Sequence, residues 1–159
     1  GRRIRREVSH MSGATATRMF LDTSVLVSLF DDDDPSHQAA ARAVMGDSEE
    51  ITLVISTRVM ADFYETITRV FARPLPAIVA GRALADLADL AVVHVDSDLV
   101  ASAAETAERH DLSIRDALAV EAAVTAGCGR LLTQVLPHGM RLRSLVVEDP
   151  AYREEQKSP

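Results

Sequence analysis

The apolar positions of the chain form short aliphatic runs that alternate with longer stretches of helical spacing. A strand at 51–55 stands out because five consecutive residues are apolar or β-branched, which is typical of an interior strand. The predicted strands are residues 19–22, 51–55, 91–95, 130–133 and 145–147. Because helices separate most of these strands, we expect an α/β fold, a three-layer α/β/α sandwich around a mainly parallel central sheet.

Local signals mark where the helices begin and end. Thr23 and Ser24 are expected to cap the helix that begins at Val25. Asp34 followed by Pro35 is typical of a helix start, and Ser113 three residues before Asp116 matches a capping pattern. Gly127 is expected to end the helix that Ser113 opens. The predicted helices are 25–30, 35–44, a helix from Ser56 or Thr57 that Pro74 and Pro76 break, 77–90, 98–108 and 113–126.

The length of 159 residues indicates one folded domain, which we place at residues 19–150. Residues 1–18 carry several arginines but no long apolar stretch, so we expect either a flexible leader or a segment partly left over from expression. Residues 151–159 are predicted to form a polar tail. The polar turn that contains Pro137 and Gly139 is expected to separate the last two strands.

Composition and charge narrow the possible partners. Only 4% of the residues are aromatic and Trp is absent, so the chain offers few platforms for stacking bases. The net charge is −7, and five of the arginines lie in residues 1–18, so the predicted domain is more acidic still. An acidic body repels phosphate unless a metal ion or a local arginine patch reverses the field. The same charge favours a basic protein partner.

The cysteine count, the histidine spacing and the hydropathy of the chain argue against a disulfide-rich protein, a zinc protein and a membrane protein. A single cysteine, Cys128, leaves no internal disulfide and fits a reducing cytoplasm. The five histidines are scattered, which argues against zinc. The most apolar stretch, 19–30, is interrupted by Asp22 and is shorter than the roughly 18 residues of a membrane span. We therefore expect a cytoplasmic protein.

Three aspartates are predicted to meet at one edge of the sheet. Asp22 ends the first strand, Asp62 lies on the helix after the second, and Asp116 opens a later helix. Several carboxylates cannot share a small site without a cation, and Mg²⁺ prefers such oxygen ligands and keeps waters that can attack a phosphodiester. Each residue also has an ordinary interpretation, as a helix cap, a first-turn anion or a solvated helix face.

Ordered segments of the chain resemble the PIN-domain family. Residues 21–27 (LDTSVLV) are similar to its opening motif, and residues 55–65 (ISTRVMADFYE) to its second block. Residues 113–120 (SIRDALAV), followed by 127–133 (GCGRLLT), resemble its third block and trailing strand. The resemblance spans 19 to about 148 and is closest in type to the toxin ribonucleases of VapBC toxin-antitoxin modules.

This resemblance implies an endoribonuclease dependent on Mg²⁺ or Mn²⁺ that cleaves structured RNA such as tRNA or rRNA. It further implies a homodimer and inhibition by a VapB-like antitoxin. The implied catalytic residues are Asp22, Asp62, Asp116 and Thr133, with the metal on Asp22 and Asp116 and on Asp62 either directly or through water. Asp62 stands where the family normally has Glu.

The chain departs from the family pattern after Thr133. A further acid is expected there, but Gln134 and Val135 occupy the positions. One metal or reduced activity is therefore expected, and Thr133 could orient a water. The alternative is a PIN-like module that binds RNA or protein and has weak or lost catalysis. For this alternative a rim of arginines is a candidate RNA contact, and the ordinary interpretation of the same residues is surface ion pairs: Arg58, Arg69, Arg73, Arg115 and Arg130.

Overall fold

A six-stranded sheet forms the centre of the molecule, for which a computed structural model describes residues 17–46 and 50–154. The strands are β1 (Arg18–Leu21), β2 (Thr52–Ser56), β3 (Ala91–Val93), β4 (Arg130–Leu132), β5 (Arg141–Leu142) and β6 (Leu145–Glu148). Their order is β3-β2-β1-β4-β6-β5, and all neighbours are parallel except β5 and β6. The predicted mainly parallel α/β sheet is confirmed.

Helices fill the three connections that lead from β1 to β4. They are α1 (Thr23–Ser28), α2 (Pro35–Gly46), α3 (Thr57–Glu65), which continues as a π-helical turn (Thr66–Val70), α4 (Ala77–Leu87), α5 (Ser97–His110) and α6 (Ile114–Thr125). Predicted caps are present: Asp34 Oδ1 accepts a hydrogen bond from the His37 amide, and Ser113 Oγ accepts one from the Asp116 amide. Ser56 caps α3 in the same way.

The strand order places helices on both faces of the sheet. From β1 the chain moves through β2 to β3 in one direction, and it then returns to β4 on the other side of β1. Because parallel crossovers are right-handed, this reversal puts α1 to α4 on one face and α5 and α6 on the other. The sheet therefore forms the middle of the predicted three-layer sandwich.

The core lies between the sheet and these helices and is built mainly from aliphatic residues. Phe20, Leu21 and Leu131 in the central strands are fully buried, as is Phe63 on α3. Helix α6 is buried along most of its length, as its apolar sequence predicted. Gly127 ends that helix with φ +73, a conformation that glycine adopts without strain.

Two local predictions are wrong. Strand β5 was not predicted, because two residues in a polar turn carry no periodic pattern; it pairs antiparallel with β6 through a tight turn at Arg143. Thr23 and Ser24 were expected to cap α1, but Asp22 occupies the N-cap position and its side chain makes no capping hydrogen bond. The Asp22 carboxylate is thus available for other contacts.

The predicted leader and tail lie mostly outside the described residues, which exclude 1–16, 47–49 and 155–159. The domain limits of 19–150 therefore stay a prediction, although β1 begins one residue earlier, at Arg18. No helix within the described ranges has the length and apolar character needed to cross a membrane.

Candidate active site

The point where the strand order reverses lies between β1 and β4, and the candidate site lies at the carboxyl ends of these strands. The Asp22 amide donates a 3.0 Å hydrogen bond to the Leu132 carbonyl, which extends the pairing of the two strands by one residue. Asp22 and Thr133 therefore leave the sheet side by side. Crevices at such a reversal are the usual ligand sites of parallel α/β sheets.

Hydroxyl groups fix the Asp22 carboxylate. Thr133 Oγ1 donates to Asp22 Oδ2 over 2.8 Å, and Ser24 Oγ donates to the same oxygen over 3.3 Å. The Thr133 hydroxyl in turn accepts a hydrogen bond from the Val135 amide at 3.1 Å. Because its own proton goes to Asp22, Thr133 orients this carboxylate.

Gln134, one of the two residues that replace the acid expected from the family pattern, binds α1. Its backbone N–H donates to Ser24 Oγ over 3.0 Å, and its side-chain Nε2 donates to Ser28 Oγ over 2.7 Å. Ser24 thus connects Gln134 to Asp22. Sequence reasoning treated Ser24 only as a cap, although its position two residues after Asp22, in the first turn of a helix, could have indicated this contact.

Asp116 faces the same cleft from the opposite layer. It lies in the first turn of α6, and the cleft of about 390 Å³ is lined by Asp22, Asp62 and Asp116, together with Ser24 and Val135. The fold therefore brings all three predicted aspartates to the wall of one cleft, from positions far apart in the sequence.

Burial makes the charge of Asp22 costly. Loss of solvent raises the pKa of this carboxyl above its ordinary value, and the nearby negative charge of Asp116 raises it further. The hydrogen bond from Thr133 opposes these effects but does not cancel them. No cation of the described residues forms an ion pair with Asp22 or Asp116. A positive charge between these two carboxylates would relieve their repulsion.

Asp62 is already paired. Arg58 Nε lies 3.0 Å and Arg115 Nη2 lies 3.2 Å from Asp62 Oδ2, so two guanidinium groups share one carboxylate oxygen. The nearby Glu65 is more exposed and pairs with Arg69 over 3.8 Å. Asp62 therefore differs from Asp22 and Asp116 in having cationic partners from the protein itself.

The three predicted aspartates do not form one compact cluster. Within residues 17–46 and 50–154, no group of three or more His, Cys, Asp or Glu side chains is placed to hold a metal ion together. Asp22 and Asp116 remain as two oxygen donors with unbalanced charge. This set fits Mg²⁺ or Mn²⁺, since such ions often take one or two carboxylates and complete their shell with water.

The predicted arginine rim is divided between different places. Arg58 and Arg115 line the cleft. Arg69 pairs with Glu65 and Arg73 pairs with Asp33, and neither of these arginines lines the cleft. Arg130 lies at the start of β4, at the opposite end of the strand from Thr133, and contacts Glu148.

The chain belongs to the PIN domain family. The model of the family described as "PIN domain" matches residues 19–134, well over half of the chain, and the match includes Asp22, Asp62, Asp116 and Thr133. No curated protein sequence matches the chain. The resemblance seen in the sequence motifs is thereby confirmed at the level of the family.

Solved structures with a similar fold include toxins. Mycobacterium tuberculosis VapC20, described as a Sarcin-Ricin loop cleaving toxin, is 24% identical with a TM-score of 0.58, and the match covers 71% of this chain and 86% of that one. A toxin-antitoxin complex from Klebsiella pneumoniae gives 15% identity, a TM-score of 0.63 and coverages of 83% and 97%. VapBC2 from Rickettsia felis, bound to a promoter DNA fragment, is 18% identical with a TM-score of 0.57. The match covers 82% of this chain and 97% of that one.

Proposed function

We propose that this protein is a metal-dependent endoribonuclease that acts as the toxin of a type II toxin-antitoxin module. The observation that carries the proposal is the pair Asp22 and Asp116, two carboxylates that line one cleft at the reversal point of a PIN-domain sheet. Neither has a cationic partner among the described residues, and burial and mutual repulsion raise the Asp22 pKa. A divalent cation bound between the two carboxylates would relieve this repulsion and stabilise their charged forms.

Asp22 and Asp116 would hold Mg²⁺ or Mn²⁺. When bound, the cation would supply an activated water and stabilise negative charge on a phosphodiester. Thr133 and Ser24 hold Asp22 Oδ2 by their hydroxyl protons, which leaves Asp22 Oδ1 free of any hydrogen bond from these two groups. The capping bond to Ser113 places Asp116 in the first turn of α6, at the positive end of the helix dipole.

The solved structures of similar fold support the toxin role and the choice of RNA. One is described as cleaving the Sarcin-Ricin loop, a structured RNA, and two are toxin-antitoxin complexes. We therefore propose tRNA or rRNA as the substrate, a VapB-like antitoxin as the partner, a homodimer as the assembly and the cytoplasm as the location. The net charge of −7 is consistent with a basic partner.

Cleavage of structured RNA tests the proposal. The purified protein is incubated with tRNA and with a hairpin of rRNA in Mg²⁺, in Mn²⁺ or in EDTA, and the products are separated on a denaturing gel. Cleavage is expected with either metal and not in EDTA. Asp22→Asn and Asp116→Asn should each reduce the rate at least 100-fold, since each removes a charged ligand.

Asp86→Asn is the matched control, because Asp86 is an exposed carboxylate on α4, outside the cleft. It should cleave at the rate of the unchanged protein. Induced expression adds a cellular measurement: growth arrest is expected from the unchanged chain and should be lost in Asp22→Asn. Arrest that persists in Asp22→Asn would contradict a nuclease toxin, and sequencing of RNA ends would identify the cleaved site.

A second candidate is a PIN-like module that binds RNA or protein with weak or no catalysis. The observation that favours it is that Gln134 and Val135 occupy the positions of the expected acid. Val135 has no ligating group, and Gln134 is bound to Ser28. Tight RNA binding without cleavage in Mg²⁺ and Mn²⁺ would favour this candidate over the enzyme.

A further inference from the structure

Two arginines from different layers meet at the candidate active site. Arg58 lies in the first turn of α3 and Arg115 in the first turn of α6, 57 positions later in the chain. Asp62 Oδ2 accepts a hydrogen bond from each, at 3.0 and 3.2 Å, and all three side chains line the cleft beside Asp22 and Asp116. The guanidinium groups are therefore held next to the proposed metal site.

Both arginines keep donors for a ligand. A guanidinium carries five N–H donors, and within the described residues each of these side chains spends one of them on Asp62. The side chains of Arg58 and Arg115 are 36% and 63% exposed, whereas that of Asp62 is 25% exposed. The free N–H groups thus reach solvent while the carboxylate that holds them is more enclosed.

The charges at one wall of the cleft, where Arg58 and Arg115 lie, suit a phosphate. The chain as a whole is acidic, so RNA needs a local positive patch to approach the acidic pair. Arg69, Arg73 and Arg130 do not line the cleft. Two guanidinium groups on one carboxylate leave a positive excess at this wall, and their planar forks match phosphate oxygens.

We propose that Arg58 and Arg115 form a phosphate-binding subsite for the RNA backbone, and that Asp62 is the residue that positions both guanidinium groups. This inference rests on the proposed function for the identity of the ligand as RNA. It assigns Asp62 to the arginines and leaves Asp22 and Asp116 as the metal ligands.

Binding of RNA without metal tests the subsite separately from catalysis. The probe is a fluorescein-labelled single-stranded RNA of about 12 nucleotides, followed by fluorescence anisotropy in EDTA at several salt concentrations. Arg58→Gln/Arg115→Gln is compared with the control Arg69→Gln/Arg73→Gln, which removes the same charge outside the cleft. The double variant in the cleft, Arg58→Gln/Arg115→Gln, should lower the RNA affinity at least tenfold. It should also reduce the slope of log affinity against log salt concentration by about 1.4, or about 0.7 per phosphate contact.

The RNA affinity of the control variant, Arg69→Gln/Arg73→Gln, should stay within about twofold of that of the unchanged protein. Equal losses in the two double variants, or no loss in the cleft pair, would overturn the subsite, because the arginines of the cleft would then have no special role. These results do not depend on cleavage. A protein that binds as expected but never cleaves RNA would retain the subsite and lose the nuclease proposal.

A double-mutant cycle tests the positioning role of Asp62. In an Asp62→Ala background, Arg58→Gln/Arg115→Gln should reduce RNA affinity by a smaller factor, because guanidinium groups that are not held lose more freedom on binding. Mn²⁺ affinity, measured by calorimetry, should stay within twofold in Asp62→Ala and fall at least tenfold in Asp22→Ala. The positioning role of Asp62 would be overturned if the arginine substitutions reduced RNA affinity by the same factor with and without Asp62. It would also be overturned if Asp62→Ala bound Mn²⁺ more than twofold more weakly.

Discussion

The Thr133 hydroxyl donates a 2.8 Å hydrogen bond to Asp22 Oδ2 and joins two residues that are 111 positions apart in the chain. The contact follows from the sheet, since β1 and β4 are parallel neighbours and the two residues come directly after them. This bond is the strongest influence that lowers the Asp22 pKa against the effect of burial. Thr133 thus favours the ionised form that a metal ligand needs.

Thr133→Val removes this hydroxyl at nearly constant volume. The Asp22 pKa should rise further, and the carboxylate loses the hydrogen bond that orients it. Mn²⁺ binding should therefore weaken by roughly tenfold, or about 1.4 kcal/mol, close to the lower end of the range for a hydrogen bond to a charged group. Thr133→Ser should restore most of the affinity because it keeps the hydroxyl. Calorimetric titration of the three proteins measures this, and equal affinity for Thr133→Val would show that the bond does not matter.

Asp22→Asn should stabilise the protein in the absence of metal. Because the folded-state pKa of Asp22 lies above its unfolded value, the folded form binds more protons between these values, and its stability falls as pH rises through them. Asn avoids that loss. At neutral pH in EDTA the variant should melt a few degrees higher. The difference should shrink as the pH approaches the ordinary Asp value of 3.8, and a pH-independent difference would contradict the burial effect.

Gln134→Asp places a carboxylate at one of the two positions, 134 and 135, where the sequence pattern expects a further acid. It adds repulsion next to Asp22 and loses the bond to Ser28, so the variant should be less stable in EDTA by about 1 kcal/mol. Saturating Mn²⁺ should raise its Tm more than it raises that of the control Gln134→Asn, which has the same length without the charge. Equal metal-induced shifts in the two variants would show that position 134 does not reach the metal site.

Glu121 and Arg143 form a pair that concerns stability alone. Glu121 is buried on α6, and Arg143 Nη1 donates to its Oε1 over 2.6 Å from the turn before β6. Arg143→Ala should cost about 1–3 kcal/mol in urea unfolding, because it leaves a buried carboxylate without its partner. Adding Glu121→Gln should recover part of this loss. No recovery would indicate that the turn itself, and not the charge, is affected.

The sequence predicted most of the fold because strong local patterns agree with the tertiary structure. The β-branched run before Ser56, the Asp34 and Ser113 caps and the apolar α6 all have clear local signatures. Strand β5 has none, since it consists of two residues whose pairing depends on β6. Its existence could be seen only in the folded chain.

The acids of the candidate site were predictable from the sequence, but only one of the two arginine partners of Asp62 was. Parallel strands end at a common edge, so Asp22 and the later aspartates could be placed together from element order alone. The pairing of Arg58 with Asp62 has the i, i+4 spacing of a helix and was open to prediction. Arg115 reaches the same carboxylate from another layer of the sandwich, across 53 positions, and no local pattern indicates such an approach.

Diffraction from crystals soaked in Mn²⁺ tests most directly whether Asp22 and Asp116 hold one divalent cation between them. We expect an anomalous peak within coordinating distance, about 2.0–2.3 Å, of a carboxylate oxygen of at least one of the two and bridged to the other directly or by a water. The peak should disappear in Asp22→Asn crystals. A fully soaked crystal with no peak at this pair, or with its only peak elsewhere, would contradict a metal-dependent site in this cleft.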